Sequence, residues 1–354
     1  MTKSCNIKTN KEADRRRRFY RTLCDSPQGA DIPLFAQAWW LDTACPEAWT
    51  VLTVPDTPDW TAVEAGHAAP LAAMPIHTPY GDTVRNALFT QHTAIWLSPD
   101  NQTKEHKILT DLATALSRYR YVYLQFPTPQ RQALPFYWRN LDLRLRYSYR
   151  MENLRAWRGT GGTEAVETAL RAGMGRDSRR RLHLAETYGI TVKPCSASDF
   201  CRLYRQTFAA RGRRIADTET VCLTQLIEAA CQRRQGLLWG GYTPDGELLS
   251  AAFVAWQGDT AYYVAGGSLR RKPPHAHAQT LVLFKAIAHC AGFCDIFDFE
   301  GSMVEGIAQF FQGFGATPHP YITLNGRRPG LCKRAWRKLG RLIPCRKTGR
   351  PLKP

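Results

Sequence analysis

Residues 236–324 constrain the fold of this chain more than any other stretch. Three runs rich in strand formers, 236–242, 248–256 and 260–265, are joined by the turns Pro244-Asp245-Gly246 and Gln257-Gly258-Asp259. Links this short make consecutive antiparallel strands. A helical run at 277–291 follows, then a short apolar strand at 296–299, a helix at 304–311 and a last strand at 321–324. A meander that continues into alternating helix and strand predicts a mixed α/β fold, with helices on both faces of a mixed sheet.

The preceding segment prepares that sheet. Helices are expected at 163–172 and 176–188, with Gly189 placed to end the second. A short strand at 190–194 and helices at 197–210 and 218–234 complete this half. The first half repeats similar ingredients without repeating the sequence. Phe35, Trp39 and Trp40 recur at helical spacing. Strands are expected at 49–54, 71–76 and 121–126, and helices at 104–119 and 130–138. Residues 143–149 alternate Leu, Arg, Leu, Arg, Tyr, Ser, Tyr, a strand with one polar face. Gly-rich, charged residues 155–162 mark the boundary. The expected organisation is a basic extension over 1–30 with room for one short helix, domains over 31–155 and 156–326, and a basic tail over 327–354.

Hydrophobic residues at 44% and aromatics at 11% supply packed cores. No stretch approaches the roughly 18 apolar residues of a membrane span. The basic N-terminus has no apolar segment behind it, so no secretory signal is expected, and the chain is expected to stay in the cytoplasm. Eleven cysteines include no Cys-x-x-Cys pair, which fits free thiols and gives no metal site. The formal charge is +18, and residues 327–354 hold eleven Lys or Arg and no acid, so the rest of the chain carries only +7. Leu331, Ala335, Leu339 and Leu342 among those cations have the spacing expected of a basic amphipathic helix. Its candidate partners are an anionic membrane, RNA phosphates or the domain itself.

Three segments carry a resemblance. They are PLFAQAWWLDTAC (33–45), the pair TQHTAIW (90–96) and ALPFYW (133–138), and FDFEGSMVEGIAQFFQGFGATPHPYITL (297–324). Together they resemble the FemAB-related and BioF2-like acyltransferases of the GNAT superfamily. The resemblance implies tandem GNAT-like domains and transfer of an acyl or aminoacyl group to an amine, on a cell-envelope precursor in the Fem case. It implies acyl-CoA or aminoacyl-tRNA as a co-substrate, with no tightly bound cofactor. Fem proteins often insert a long helical hairpin in the second domain, and residues 163–188 leave no room for one. Standard GNAT enzymes wrap pyrophosphate in a glycine-rich loop. Here that place reads SLRRKPPHAHA (268–278), with Arg270, Arg271 and Lys272 standing before a helix N-terminus.

Acyl transfer to an amine needs a proton acceptor, donors for the developing oxyanion and close placement of two substrates. Glu300 ends a hydrophobic strand beside Gly301, where sheets of this kind face ligand crevices. Walled by Phe297 and Phe299, its carboxyl is expected to take protons readily and to act as the base; a helix cap or an arginine's partner is the other reading. Asp298, on the same strand face, is a weaker candidate. Ser302 and the amides at Gly301 could hold an oxyanion or phosphate, or simply cap the next helix. Of Tyr262 and Tyr263 one should face the crevice, and Tyr263 is the candidate acid. Arg179, Arg180, Arg211 and Arg213 are candidates for phosphate contact; solvated helix faces would read the same. A catalytically silent scaffold that binds nucleic acid or a membrane surface remains the alternative function.

Overall fold

The computed structural model describes residues 2–99, 104–128, 132–158, 162–269 and 277–327, with side chains from residue 11 onward. The helices are α1 (Thr2–Cys24), α2 (Ala38–Ala44), α3 (Trp60–Glu64), α4 (Glu105–Leu116), α5 (Leu134–Tyr137), α6 (Gly162–Gly173), α7 (Arg176–Thr187), α8 (Ala197–Ala209), α9 (Asp217–Gln232), α10 (Ala278–Ala291) and α11 (Glu305–Gln312). The strands are β1 (Trp49–Val54), β2 (Ala72–His77), β3 (Thr83–Arg85), β4 (Trp96–Leu97), β5 (Tyr121–Gln125), β6 (Asp142–Met151), β7 (Thr191–Pro194), β8 (Gly236–Tyr242), β9 (Leu248–Gln257), β10 (Thr260–Ser268), β11 (Ile296–Asp298) and β12 (Thr317–Arg327). The meander 236–268 and the two helices and strands after it fall where the turn chemistry and periodicity put them.

All strands join one 12-stranded mixed sheet, ordered β1-β2-β3-β5-β12-β6-β11-β10-β9-β8-β7 with β4 on β2. The two halves of the chain interlock at its middle. β6, from the first half, pairs with β11 and β12 of the second, while β12 also pairs with β5. The sheet therefore runs unbroken across the expected boundary near residue 155. β12 is longer than the strand expected at 321–324. Pro318 and Pro320, which lack the N–H a ladder uses, hide its first half from the sequence.

Helix α4 lays Ile108, Leu109, Leu112 and Leu116 on Val122, Leu124 and Leu324. α10 buries Leu281, Phe284 and Ile287 against Ala261 and Phe297. On the opposite face α8 and α9 pack with Tyr262 and Phe253, and Leu34, Phe35 and Trp40 of the first half join that core.

Residues 1–30, read as an extension with room for one short helix, hold the longer, docked helix α1. Tyr20 and Leu23 are buried with Trp49 and Val51. Arg16 donates to the carbonyl of Val51 at 3.0 Å and Arg17 to that of Trp49 at 2.9 Å. β1 is an edge strand whose open carbonyls need partners, and the arginine run supplies them. Among the described residues no helix is long and apolar enough to cross a membrane. The tail helix expected beyond Arg327 lies outside the described residues.

Candidate active site

β10 and β11 run parallel for three pairs, ending at Tyr262 opposite Asp298. β11 stops there, whereas β10 continues to Ser268. The strands part, and the residues at the end of β11 face the opening. Phe297 and Phe299 turn into the core beneath α10, which puts Asp298 between them on the other face.

Asp298 is fully committed. It accepts from Arg150 Nε at 2.6 Å, from the Ser148 hydroxyl and from the backbone N–H of Glu300 at 2.9 Å. Burial alone would lower the Arg150 guanidinium's pKa, but Asp298 outweighs it and the net shift is upward. The bond to the Glu300 amide bends the chain so that Glu300 takes φ +55°, a left-handed backbone rarely used by a residue with a side chain. Strain of this kind, costing roughly 1–3 kcal/mol, persists only where neighbours enforce it. Here Asp298 and Arg150 do so.

The Glu300 side chain is thereby held 9% exposed, and its Oε1 has no hydrogen-bond partner. Burial pushes its pKa well above the ordinary carboxylate range; Asp298 adds to the rise and Arg150 opposes it. The carboxyl lines a polar cavity of about 20 Å³ together with Gln91, His92, Gln125, Thr128 and Tyr321. That is room for a single water, or for one amine nitrogen. His92 is 6% exposed, and neither ring nitrogen has a partner. Its ring meets Phe35 and Tyr262 edge-on or tilted, with centroids 5.0 and 6.0 Å away. Burial, reinforced by Arg150 and opposed by Asp298, lowers its pKa to about 4, so it is neutral at pH 7.

Tyr262 belongs to this group: burial raises its hydroxyl pKa, and Asp298 and Glu300 raise it further. Tyr263 points the other way. Its ring packs on Phe311 with centroids 6.3 Å apart, and its hydroxyl accepts from Gln279 Nε2 at 3.2 Å. Ser302 stays outside the cavity, its hydroxyl accepting from the Val304 amide at 3.1 Å in the turn before α11. Gly301 is confined: a Cβ there would stand 2.6 Å from the carbonyl oxygen of Tyr147 and 3.0 Å from the Tyr321 ring.

The arginines separate into two places. Arg179 donates to the Ala172 carbonyl at 3.4 Å. Arg180 and Arg181 lie near enough to His277, at the start of α10, to help burial lower its pKa. Arg211 and Arg213 stack over Phe208, and Arg213 pairs with Glu219 at 2.9 Å. Arg213 also lines an open groove of about 790 Å³ between α8 and α9, which shares no lining residue with the Glu300 cavity. Arg270, Arg271 and Lys272 lie outside the described residues.

Arg150, Ser148 and His92 were not singled out from sequence. The signal for the first two was present in the polar face of the alternating strand, which ends on Ser148 and Arg150. His92 sits inside TQHTAIW, one of the segments that carried the resemblance.

Comparison with known proteins bears on the fold. Residues 172–310 match the model of the acetyltransferase (GNAT) domain. The fold is similar to that of FemX at TM-score 0.58 and 11% identity, covering 88% of this chain and 95% of FemX. It is similar to L-PGS from Bacillus licheniformis at TM-score 0.51 and 10% identity, covering 92% and 96%. A tandem GNAT protein from the clavulanic acid biosynthesis pathway gives TM-score 0.50 and 10% identity, covering 91% and 96%. At these identities the likeness is one of fold, and it includes the tandem GNAT arrangement. No curated protein matches the chain.

Proposed function

We propose that this chain, which carries an acetyltransferase (GNAT) domain at residues 172–310, transfers an acyl or aminoacyl group from an activated donor to the amine of an acceptor. The observation that carries this reading is the Glu300 carboxyl, buried, unpartnered at Oε1 and raised in pKa, in a cavity the size of one amine nitrogen. The donor is acyl-CoA or aminoacyl-tRNA, used as a co-substrate and held at the parting of β10 and β11. The acceptor is an amine, and a cell-envelope precursor is the class implied by the sequence resemblance to Fem-type proteins. The reaction is assigned to the cytoplasm, and the eleven cations of residues 327–354 suit contact with an anionic membrane face or with RNA.

The chemistry balances with groups at hand. The amine nitrogen attacks the donor carbonyl, forming the C–N bond and a tetrahedral oxyanion. Glu300 accepts the proton the nitrogen releases. Collapse breaks the bond from the carbonyl carbon to the donor's sulfur or ribose oxygen, and that leaving group takes the proton Glu300 accepted, which restores the carboxylate. A base with a raised pKa serves this better than an ordinary carboxylate, because its strength lies closer to that of the amine it relieves. Asp298 and Arg150 touch no reacting atom; they position Glu300. Neutral His92 can donate to the oxyanion or accept from the amine, and its unpartnered nitrogens leave both roles open to it.

The narrowness of the cavity favours one rival, a silent scaffold that binds anionic polymers through its basic surface. Mass spectrometry separates the two. The full chain is incubated with acyl-CoAs, charged tRNAs and precursor amines, and each amine is weighed for an added acyl group. The enzymatic reading expects a mass gain that slows at least ~100-fold in Glu300→Gln. No mass gain with any donor, together with RNA binding unchanged in that variant, would replace it with the rival.

A further inference from the structure

The polar face that ends at Glu300 does not stop there. Strand register puts Arg150, Ser148, Arg146, Arg144 and Asp142 of β6 on one face, beside Thr317, His319, Tyr321, Thr323 and Asn325 of β12. Tyr123 and Tyr121 of β5 continue it past Asn325 and Arg327. Along β6 this face opens steadily: Arg150 and Ser148 are buried, Arg146 is half-buried, Arg144 and Asp142 are exposed. On the alternate face Tyr149 and Met151 enter the core while Leu145 and Tyr147 are exposed, so the whole strand rises out of the molecule toward Asp142, and its polar face forms a ramp that descends from solvent to the cavity at Glu300.

The ramp is basic and aromatic. Burial raises the pKa of the Tyr321 hydroxyl; the nearby Arg146 guanidinium opposes the rise, and Glu300 and Tyr123 add to it. Arg327 and Arg120 stack on Tyr121 at 5.4 and 5.2 Å. The one carboxylate that register places on the open stretch is Asp142. Two polar groups on the floor are unspent: Thr323, 1% exposed, has no partner at Oγ1, and Arg146 has none at Nε. Buried polar atoms without partners are rare and cost free energy, which a ligand bonding them would recover.

We propose that this ramp is the acceptor's binding site, and that it takes an extended molecule with an anionic oxygen group, phosphate or carboxylate, set about 13–20 Å from the amine. That spacing follows from a strand rise of about 3.3 Å per residue, which separates Arg150 from Arg146 by four steps and from Arg144 by six. Arg146 and Arg144 bind the anion, Tyr321 and Tyr123 carry the connecting chain, and the amine enters the one-water cavity at Glu300. The inference deepens the proposed transfer and rests on it for the word acceptor; the anion site stands by itself.

The test is equilibrium binding of inorganic pyrophosphate and of citrate to the full chain, by calorimetry at constant ionic strength. The double variant Arg144→Ala/Arg146→Ala should weaken the tighter anion about tenfold or more. Arg146→Lys should keep part of that affinity, since it retains the charge but not the fork. Glu300→Gln and Arg211→Ala/Arg213→Ala should leave it unchanged. Preference for pyrophosphate assigns a phosphate-bearing acceptor and preference for citrate a carboxylate-bearing one; either upholds the site. Equal binding by the wild type and the folded double variant overturns it, as does loss in the Arg211/Arg213 variant alone. Glu300→Gln that stops transfer without touching anion binding separates a failure of this site from a failure of the base.

Discussion

Replacing Arg150 with methionine probes the framework that holds Glu300. The two side chains of the Arg150–Asp298 pair are 9% and 3% exposed and meet at 2.6 Å. Methionine keeps most of the aliphatic stem and removes the charge. Asp298 then keeps a buried negative charge beside Glu300 with no cation to offset it, a situation that costs about 3–5 kcal/mol. The 3.3 Å bond from Arg150 to the Thr128 carbonyl goes as well, worth roughly 1 kcal/mol. The second change, Asp298→Asn in the same chain, removes the stranded charge while its side chain still accepts from Ser148 and the Glu300 amide. The double variant should therefore recover at least about 2 kcal/mol of the single variant's loss. Guanidinium unfolding at pH 7 reads both, with m fitted for each protein. A single-variant loss under about 1 kcal/mol, or a double variant no more stable than the single, would refute the claim that this ion pair sets the site.

Three other outcomes are expected. Burial holds the Glu300 pKa above its unfolded value, so ionising it penalises the folded state. Its favourable contribution is complete below the ordinary carboxylate pKa of about 4.3 and declines as pH rises, by about 1.4 kcal/mol per pH unit of the shift. Glu300→Gln should thus be as stable as the wild type near pH 4 and more stable near pH 8 by thermal unfolding; lower stability at pH 8 would contradict this. Tyr262→Phe should slow acyl transfer more than Tyr263→Phe, which loses only the Gln279 bond, in side-by-side initial-rate measurements. Gly301→Ala should cost roughly 1–3 kcal/mol of stability and reduce transfer, because its Cβ meets the Tyr147 carbonyl and displaces the turn that carries Glu300; a silent substitution would show the turn is slack.

The elements that sequence placed well are those whose signals are local. The meander was legible in its two turn sequences, α10 in its apolar periodicity, and β6 in strict alternation. What escaped was set by distant partners. α1 reads as a charged run until β1 is seen to present bare carbonyls to Arg16 and Arg17. The first half of β12 is hidden by two prolines, which the sheet tolerates opposite Tyr147 and Tyr149. The exchange of β6 and β12 between halves has no local signature at all. The site followed the same rule. Glu300 stood out because it ends a hydrophobic strand beside a glycine. Arg150 and His92 reach it only through the strand exchange and a first-half loop, 150 and 208 residues away in sequence. The choice between Tyr262 and Tyr263 depended on which face of β10 turns toward β11's Asp298, and alternation alone gives no preference.

The central claim is that the Glu300 carboxyl is the proton acceptor in acyl transfer. The most direct measurement is the pH dependence of single-turnover transfer, wild type against Glu300→Gln, with a saturating donor. The account predicts that the wild-type rate rises with pH through an ionisation above the usual carboxylate range, and that the variant is slower and lacks that step. Identical profiles and rates for the two proteins would contradict it.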